Sequence, residues 1–143
     1  MKVSKVFKPI VKFEKIGEKY YHIENKERLN WYEAVSRCRS MEANLISLQN
    51  EEEWKAITKQ IRHYNKYWVD INDEATEGEY ISESTGEEAP FLKWSVEEPN
   101  NSKGVENCVQ MRESYGLFDE TPHSMNDVEC TSKTFFICEA NEI

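Results

Sequence analysis

Four cysteines, Cys38, Cys108, Cys130 and Cys138, constrain this chain more than any other feature. Their number is even, their spacings are wide, and none forms a C-x-x-C. That argues against a zinc ribbon or a redox pair and for two disulfides. The spacings alone leave the connectivity open. In the chain-entropy account, a bridge closing about 100 residues stabilises by about 4.7 kcal/mol and one closing about 20 by about 3 kcal/mol. Disulfides imply an oxidising compartment, so a secreted, extracellular protein is expected. The alternative is four buried thiols in a cytosolic protein.

At 143 residues the chain fits one domain with its own core. Aromatic residues make up 12% of it, which suits a folded interior. The net charge is −9, from 18 basic and 27 acidic residues. Such a chain is a poor match for nucleic acid or an anionic membrane, and it attracts cations. No apolar run reaches the roughly 18 residues of a bilayer span, so no membrane insertion is expected. Residues 1–7 lack the apolar stretch of a signal peptide.

Residues 1–18 are read as an N-terminal arm, with Lys2, Lys5, Lys8 and Lys12 interleaved with apolar side chains, and 19–143 as the domain. Lys19–Ile23 reads as a strand. Asn30 with Glu33 three residues on is a capping-box signature. Trp31, Ala34, Val35, Cys38 and Met41 then form one apolar helical stripe, which puts Cys38 on the buried face. Residues 43–48 read as an extended link. Asn50 repeats the cap, Glu51–Glu53 suit the helix dipole, and Trp54, Ile57 and Ile61 form a second stripe. Tyr67–Ile71 reads as a buried strand. From Asn72 to Asn107 there is little periodicity, and a long irregular stretch in a compact domain usually carries function. Strand-like runs, Cys108–Met111 and Thr134–Glu139, follow. The order defines an α+β fold with two helices.

Within the irregular stretch, Glu98-Pro99-Asn100 is the chemical centre, joined downstream by Glu106, Asn126 and Asp127. These are carboxylate and amide oxygens, the ligand types of Ca²⁺, which takes about six to eight of them. Proline permits a cis peptide, which would turn Glu98 and Asn100 toward one point.

The ordered set of residues resembles the C-type lectin-like domain across roughly Lys19 to Glu139. The resemblance rests on Trp31-x-x-Ala34-x-x-x-Cys38, Ala43-Asn44-Leu45, Tyr67-Trp68-Val69-Asp70-Ile71, Thr76-Glu77-Gly78, Trp94, Glu98-Pro99-Asn100, Glu106-Asn107-Cys108, Asn126-Asp127-x-x-Cys130 and Phe136-Ile137-Cys138-Glu139. It implies a short-form domain with bridges Cys38–Cys138 and Cys108–Cys130, two helices, small antiparallel sheets and a long binding loop. It further implies a calcium-dependent lectin and no enzyme activity. Glu98, Asn100, Glu106, Asn126 and Asp127 would ligate Ca²⁺. Glu98, Asn100, Glu106 and Asn126 would also hydrogen-bond two vicinal sugar hydroxyls. The Glu-Pro-Asn order goes with mannose- and fucose-type glycans in this family, and Gln-Pro-Asp with galactose. A second metal site would use Asp73, Glu77, Asn101 and Asn107. It is expected to be weak, because amides stand at two positions where carboxylates are usual.

The sequence departs from the family pattern in two places. Met125 stands where the family has Trp before Asn-Asp, and the segment from Met111 to Ser124 is long. That segment offers Tyr115, Phe118 and His123 as further sugar contacts, or is a plain surface loop. The rival reading is a lectin-like domain that binds a protein partner and no sugar, a role usually marked by loss of the calcium ligands. A glycosidase using Glu98 and Glu106 lacks other support, and an EF-hand at Asp70 fails at Ala75 and Ile81. Asn100-Asn101-Ser102 matches a glycosylation sequon, but a glycan there would block the site.

Overall fold

The computed structural model describes residues 12–62, 64–95, 98–99, 104–114 and 123–142. In chain order the elements are β1 (Glu14–Ile16), β2 (Lys19–Leu29), α1 (Trp31–Ser40), β3 (Asn44–Leu45), α2 (Glu51–Thr58), β4 (Tyr67–Asn72), β5 (Ile81–Ser82), β6 (Glu106–Glu113), β7 (His123–Glu129) and β8 (Thr134–Ala140).

Both helices begin where side-chain chemistry permits. Asn30 Oδ1 accepts from Glu33 N at 2.8 Å, and Glu33 Oε1 accepts from Asn30 N at 2.9 Å, closing the capping box. Asn50 caps α2 by accepting from Glu53 N at 2.9 Å. Trp31, Ala34, Val35 and Cys38 are the buried face of α1. Trp54 and Ile57 are that of α2, and Ile61 is buried just beyond its end.

The strands are hydrogen-bonded in the order β1-β2-β8-β4-β6-β7, with β3 beside β8 and β5 beside β4. β4 and β8 are parallel, while the other pairs are antiparallel. β1 lies within the stretch read as an arm and pairs with β2 through a turn at Gly17, whose φ is +67°. The arm's basic residues up to Val11 lie outside the described residues. β2 is longer than the run that announces it, because Glu24–Leu29 continue the pairing with β8 past an irregularity in register.

Every residue of β4 is buried, and alternation explains how. Tyr67, Val69 and Ile71 pack with Trp54, Ile57, Val109, Met111, Met125 and Ile137 on one face of the sheet. Trp68 packs with Trp31, Val35, Cys38 and Phe136 on the other. Two indoles fasten the α1 side: Trp31 Nε1 donates to Val69 O at 2.8 Å and Trp68 Nε1 to Leu29 O at 2.9 Å. Cys38 is bonded to Cys138 and Cys108 to Cys130, joining α1 to β8 and β6 to the turn after β7. Among the described residues no helix is long and apolar enough to cross a membrane.

Candidate functional site

The irregular stretch is packed onto α2 and β7. Phe91 lies against Trp54 with ring centroids 5.9 Å apart, and Lys93 Nζ is 2.9 Å from Glu51 Oε1 on the first turn of α2. Trp94 meets Tyr80 edge-on at 4.8 Å. Backbone bonds then lock the stretch to β7: Met125 N donates to Lys93 O at 2.7 Å, and Ser95 N donates to Met125 O at 2.8 Å. Met125 is fully buried, and its Sδ lies 3.4 Å from Lys93 N. The residue that replaces the family's Trp thus retains an apolar packing role. Ser95 and Ser124 join their hydroxyls beneath this contact.

Three residues beyond Ser95, the Glu98–Pro99 peptide is cis, and Glu98 N donates to Ser95 O at 3.0 Å. The anchor at Met125 therefore brings Glu98 to Asn126 and Asp127, the next residues of β7. Glu98 and Asp127 are hydrogen-bonded carboxyl to carboxyl. Burial, the Asp127 contact and charge, and the Glu106 charge push the Glu98 carboxyl up to about 7, while Arg112 opposes the rise. Glu106 reaches this cluster from the start of β6, where the register with β7 shifts by a bulge next to Asn107. Asn126 is half-buried, and its Oδ1 is buried without a hydrogen-bond partner.

A second acidic group adjoins the first. Asp73 is buried, its backbone N–H donates to Asn107 O at 3.0 Å, and its Oδ2 accepts from Gly78 N at 2.9 Å. Glu77 is exposed; its carboxyl is raised by local desolvation, by a hydrogen bond with Asp73, and by the charges of Asp73 and Asp127. The Tyr80 phenol is also pushed up, by burial and then by Asp73, Asp127 and Glu77. Asp127 is common to both groups, so Asp73, Glu77, Glu98, Glu106 and Asp127 form one acidic centre. Crowded carboxylates suit a cation that prefers oxygen ligands.

Asn100 and Asn101 lie outside the described residues, as do Tyr115 and Phe118. His123 starts β7 and is 2% exposed, which removes it as a surface contact for sugar. Arg112 and Tyr80 were not foreseen at the site. Arg112 carried a signal, since a charge within an otherwise apolar-reading strand needs a nearby opposite charge.

Two helices, two bridges and a loop-borne oxygen centre on an α+β sheet define a binding domain of lectin type. The chain belongs to the C-type lectin family: the profile described as Lectin C-type domain matches residues 27–140. C-type lectin 37Db of Drosophila melanogaster is 41% identical over 126 residues, covering 88% of this chain and 80% of that protein. Among solved structures, the C-type lectin domain of murine dendritic cell inhibitory receptor 2, in complex with N-glycan, has a TM-score of 0.78 at 21% identity, covering 93% of this chain and 98% of its own. A calcium-independent type II antifreeze protein has a TM-score of 0.73 at 17% identity, covering 90% of each chain. At such identities the likeness is one of fold, and function rests on the site. The family is one of binding domains, not enzymes.

Proposed function

We propose that this domain is an extracellular, calcium-dependent lectin for mannose- or fucose-type glycans, recognising microbial or host surfaces. The observation that carries the reading is the convergence of the Glu98, Glu106 and Asp127 carboxyl groups; Asn126, next to Asp127 in β7, adds a buried side-chain oxygen without a hydrogen-bond partner. These donors fit Ca²⁺ in kind. Glu98, Asn100, Glu106, Asn126 and Asp127 are its ligands, and bound Ca²⁺ would polarise two vicinal sugar hydroxyls. The carboxylates of Glu98 and Glu106 accept hydrogen bonds from those hydroxyls, and the amides of Asn100 and Asn126 donate to them. Mannose-type preference follows from the Glu-Pro-Asn order. Asp73, Glu77, Asn101 and Asn107 provide a weaker second metal site. The two disulfides support an oxidising, extracellular setting. A shallow monosaccharide site calls for several copies to reach useful avidity, so assembly into oligomers belongs to this reading.

Glycan-array binding with calcium and with EDTA tests the proposal. Mannose- or fucose-type binding that disappears in EDTA supports it. Binding unchanged by EDTA, or no glycan bound in either buffer, overturns it and favours a protein partner recognised without sugar.

A further inference from the structure

At the opposite end of β4 from Asp73, three strand ends meet. Arg28 is the last residue but one of β2, Lys66 precedes β4 and Lys133 precedes β8. The parallel pairing of Tyr67 with Phe135 and the antiparallel pairing of Leu29 with Thr134 bring the three together. They line a cleft of about 260 Å³ with Tyr64, Asn65, Thr134 and Phe135, and among the described residues no carboxylate lines it. The end of β4 nearest the acidic centre is about 17 Å away, at about 3.3 Å per strand residue.

Several cations of the chain are paired with acids. Lys19, Arg37, Arg39 and Lys93 each face a carboxylate. Among the described residues Lys66 and Lys133 have no acidic partner, and Arg28 has only the Phe135 ring, 4.8 Å from its Cζ. In a chain of net charge −9 such a cluster acts locally, because salt screens fields beyond about 8–10 Å. Tyr64 stands at the edge of the cleft with 77% of its surface exposed, a large aromatic ring left in water. Cations beside an open aromatic face suit a ligand that carries both negative charge and a flat apolar face. A sulfated pyranose has both.

We propose that this cleft is a second, calcium-independent binding site for sulfated saccharides. Arg28, Lys66 and Lys133 hold the sulfate oxygens, and Tyr64 packs on the sugar ring. The cleft is wider than a lone tetrahedral anion requires, and the ring contact favours a glycan over a phospholipid headgroup.

Calorimetry of the whole chain with a heparin-derived tetrasaccharide, in EDTA and at low salt, tests this. Binding is expected in EDTA, weakening as salt rises. The double substitution Lys66→Glu/Lys133→Glu should weaken it about tenfold or more, since two attractions become two repulsions. Lys66→Arg/Lys133→Arg should retain binding, and Tyr64→Ala should weaken it while leaving the melting temperature unchanged. Asp127→Asn should leave it intact, which separates this site from the calcium centre. Equal binding of the desulfated tetrasaccharide, no effect of the double charge reversal, or loss of binding in EDTA would each overturn the proposal. So would binding to phosphatidylserine vesicles with none to the tetrasaccharide.

Discussion

Glu98 and Asp127 hydrogen-bond through their carboxyl groups, a contact that two fully ionised carboxylates cannot make. The pair comes from segments separated in sequence and is held by the backbone bonds between Met125 and residues 93–95. Glu98 is pushed up to about 7, so below that pH the cluster holds a proton that a bound cation would displace. That exchange governs the first two predictions.

Removing one carboxylate should empty the site. Asp127→Asn is expected to lower calcium affinity about a hundredfold or more, beyond the 10–100-fold typical of residues that only support a metal ligand. Glycan binding should fall with it. Calcium titration followed by Trp fluorescence checks the first effect and a mannose column the second. Exchanging Glu98→Gln with Asn100→Asp should shift preference toward galactose. Retained mannose selectivity would show that other loops set the specificity.

Calcium binding should depend on pH well above the ordinary carboxylate range. Glu98 is pushed up to about 7, so the metal-free protein gains a proton as pH falls through that value. Calcium must displace it, and its apparent affinity should drop about tenfold per pH unit below about 7 for one displaced proton. An affinity flat down to pH 4 would contradict this coupling.

Asp70 should limit stability at neutral pH. It is 1% exposed on the α1 side of β4; Ser82 Oγ and Ser84 Oγ donate to its Oδ2, and its Oδ1 has no hydrogen-bond partner. Burial pushes its carboxyl up to about 6 from 3.8. The folded state therefore holds the proton more tightly than the unfolded chain. That contribution is complete below the unfolded value and is lost as pH rises through about 6. Asp70→Asn should raise stability on the order of 2 kcal/mol at pH 7.5 and little at pH 4. Urea melts at the two pH values measure the difference.

Opening the Cys108–Cys130 bridge should affect both stability and the site. Its sequence separation is 22 residues, for which the chain-entropy account gives about 3 kcal/mol. The bridge braces β6 and β7, which carry Glu106, Asn126 and Asp127. Cys108→Ser/Cys130→Ser should lower the melting temperature and weaken calcium binding together. A lower melting temperature with unchanged calcium affinity would assign the bridge to stability alone.

Met125→Ala should act in the same place from the core. It leaves a cavity between Lys93 and the sheet and should cost about 2–5 kcal/mol. If this packing holds the Glu98 loop in place, the loss of calcium affinity should exceed that of an equally destabilising Ile57→Ala on α2, measured by calcium titration at a temperature where both variants are folded.

Much of this architecture is legible from neighbouring residues. The Asn30 and Asn50 caps, the helical stripes after them, and the buried run at Tyr67 are local signals, because a cap or a periodic face involves residues within one or two turns. The ordered motifs allowed the disulfide pairing to be expected before Cys38–Cys138 and Cys108–Cys130 were seen bonded. The β1 pairing and the full extent of β2 were not legible, since both depend on a partner strand far along the chain.

The same division runs through the sites. By itself the sequence determined the donor types at Glu98, Glu106, Asn126 and Asp127, because chemistry belongs to the residue. Only the tertiary structure decided that Asp73 and Glu77 share the field of Asp127, that Met125 anchors the Glu98 loop, and that His123 is buried. It also decided that Asp70 lies beneath α1, and that Arg28, Lys66 and Lys133 meet at one cleft. Fields, burial and clefts depend on distances through space, and sheet pairing brings together residues that the chain keeps far apart.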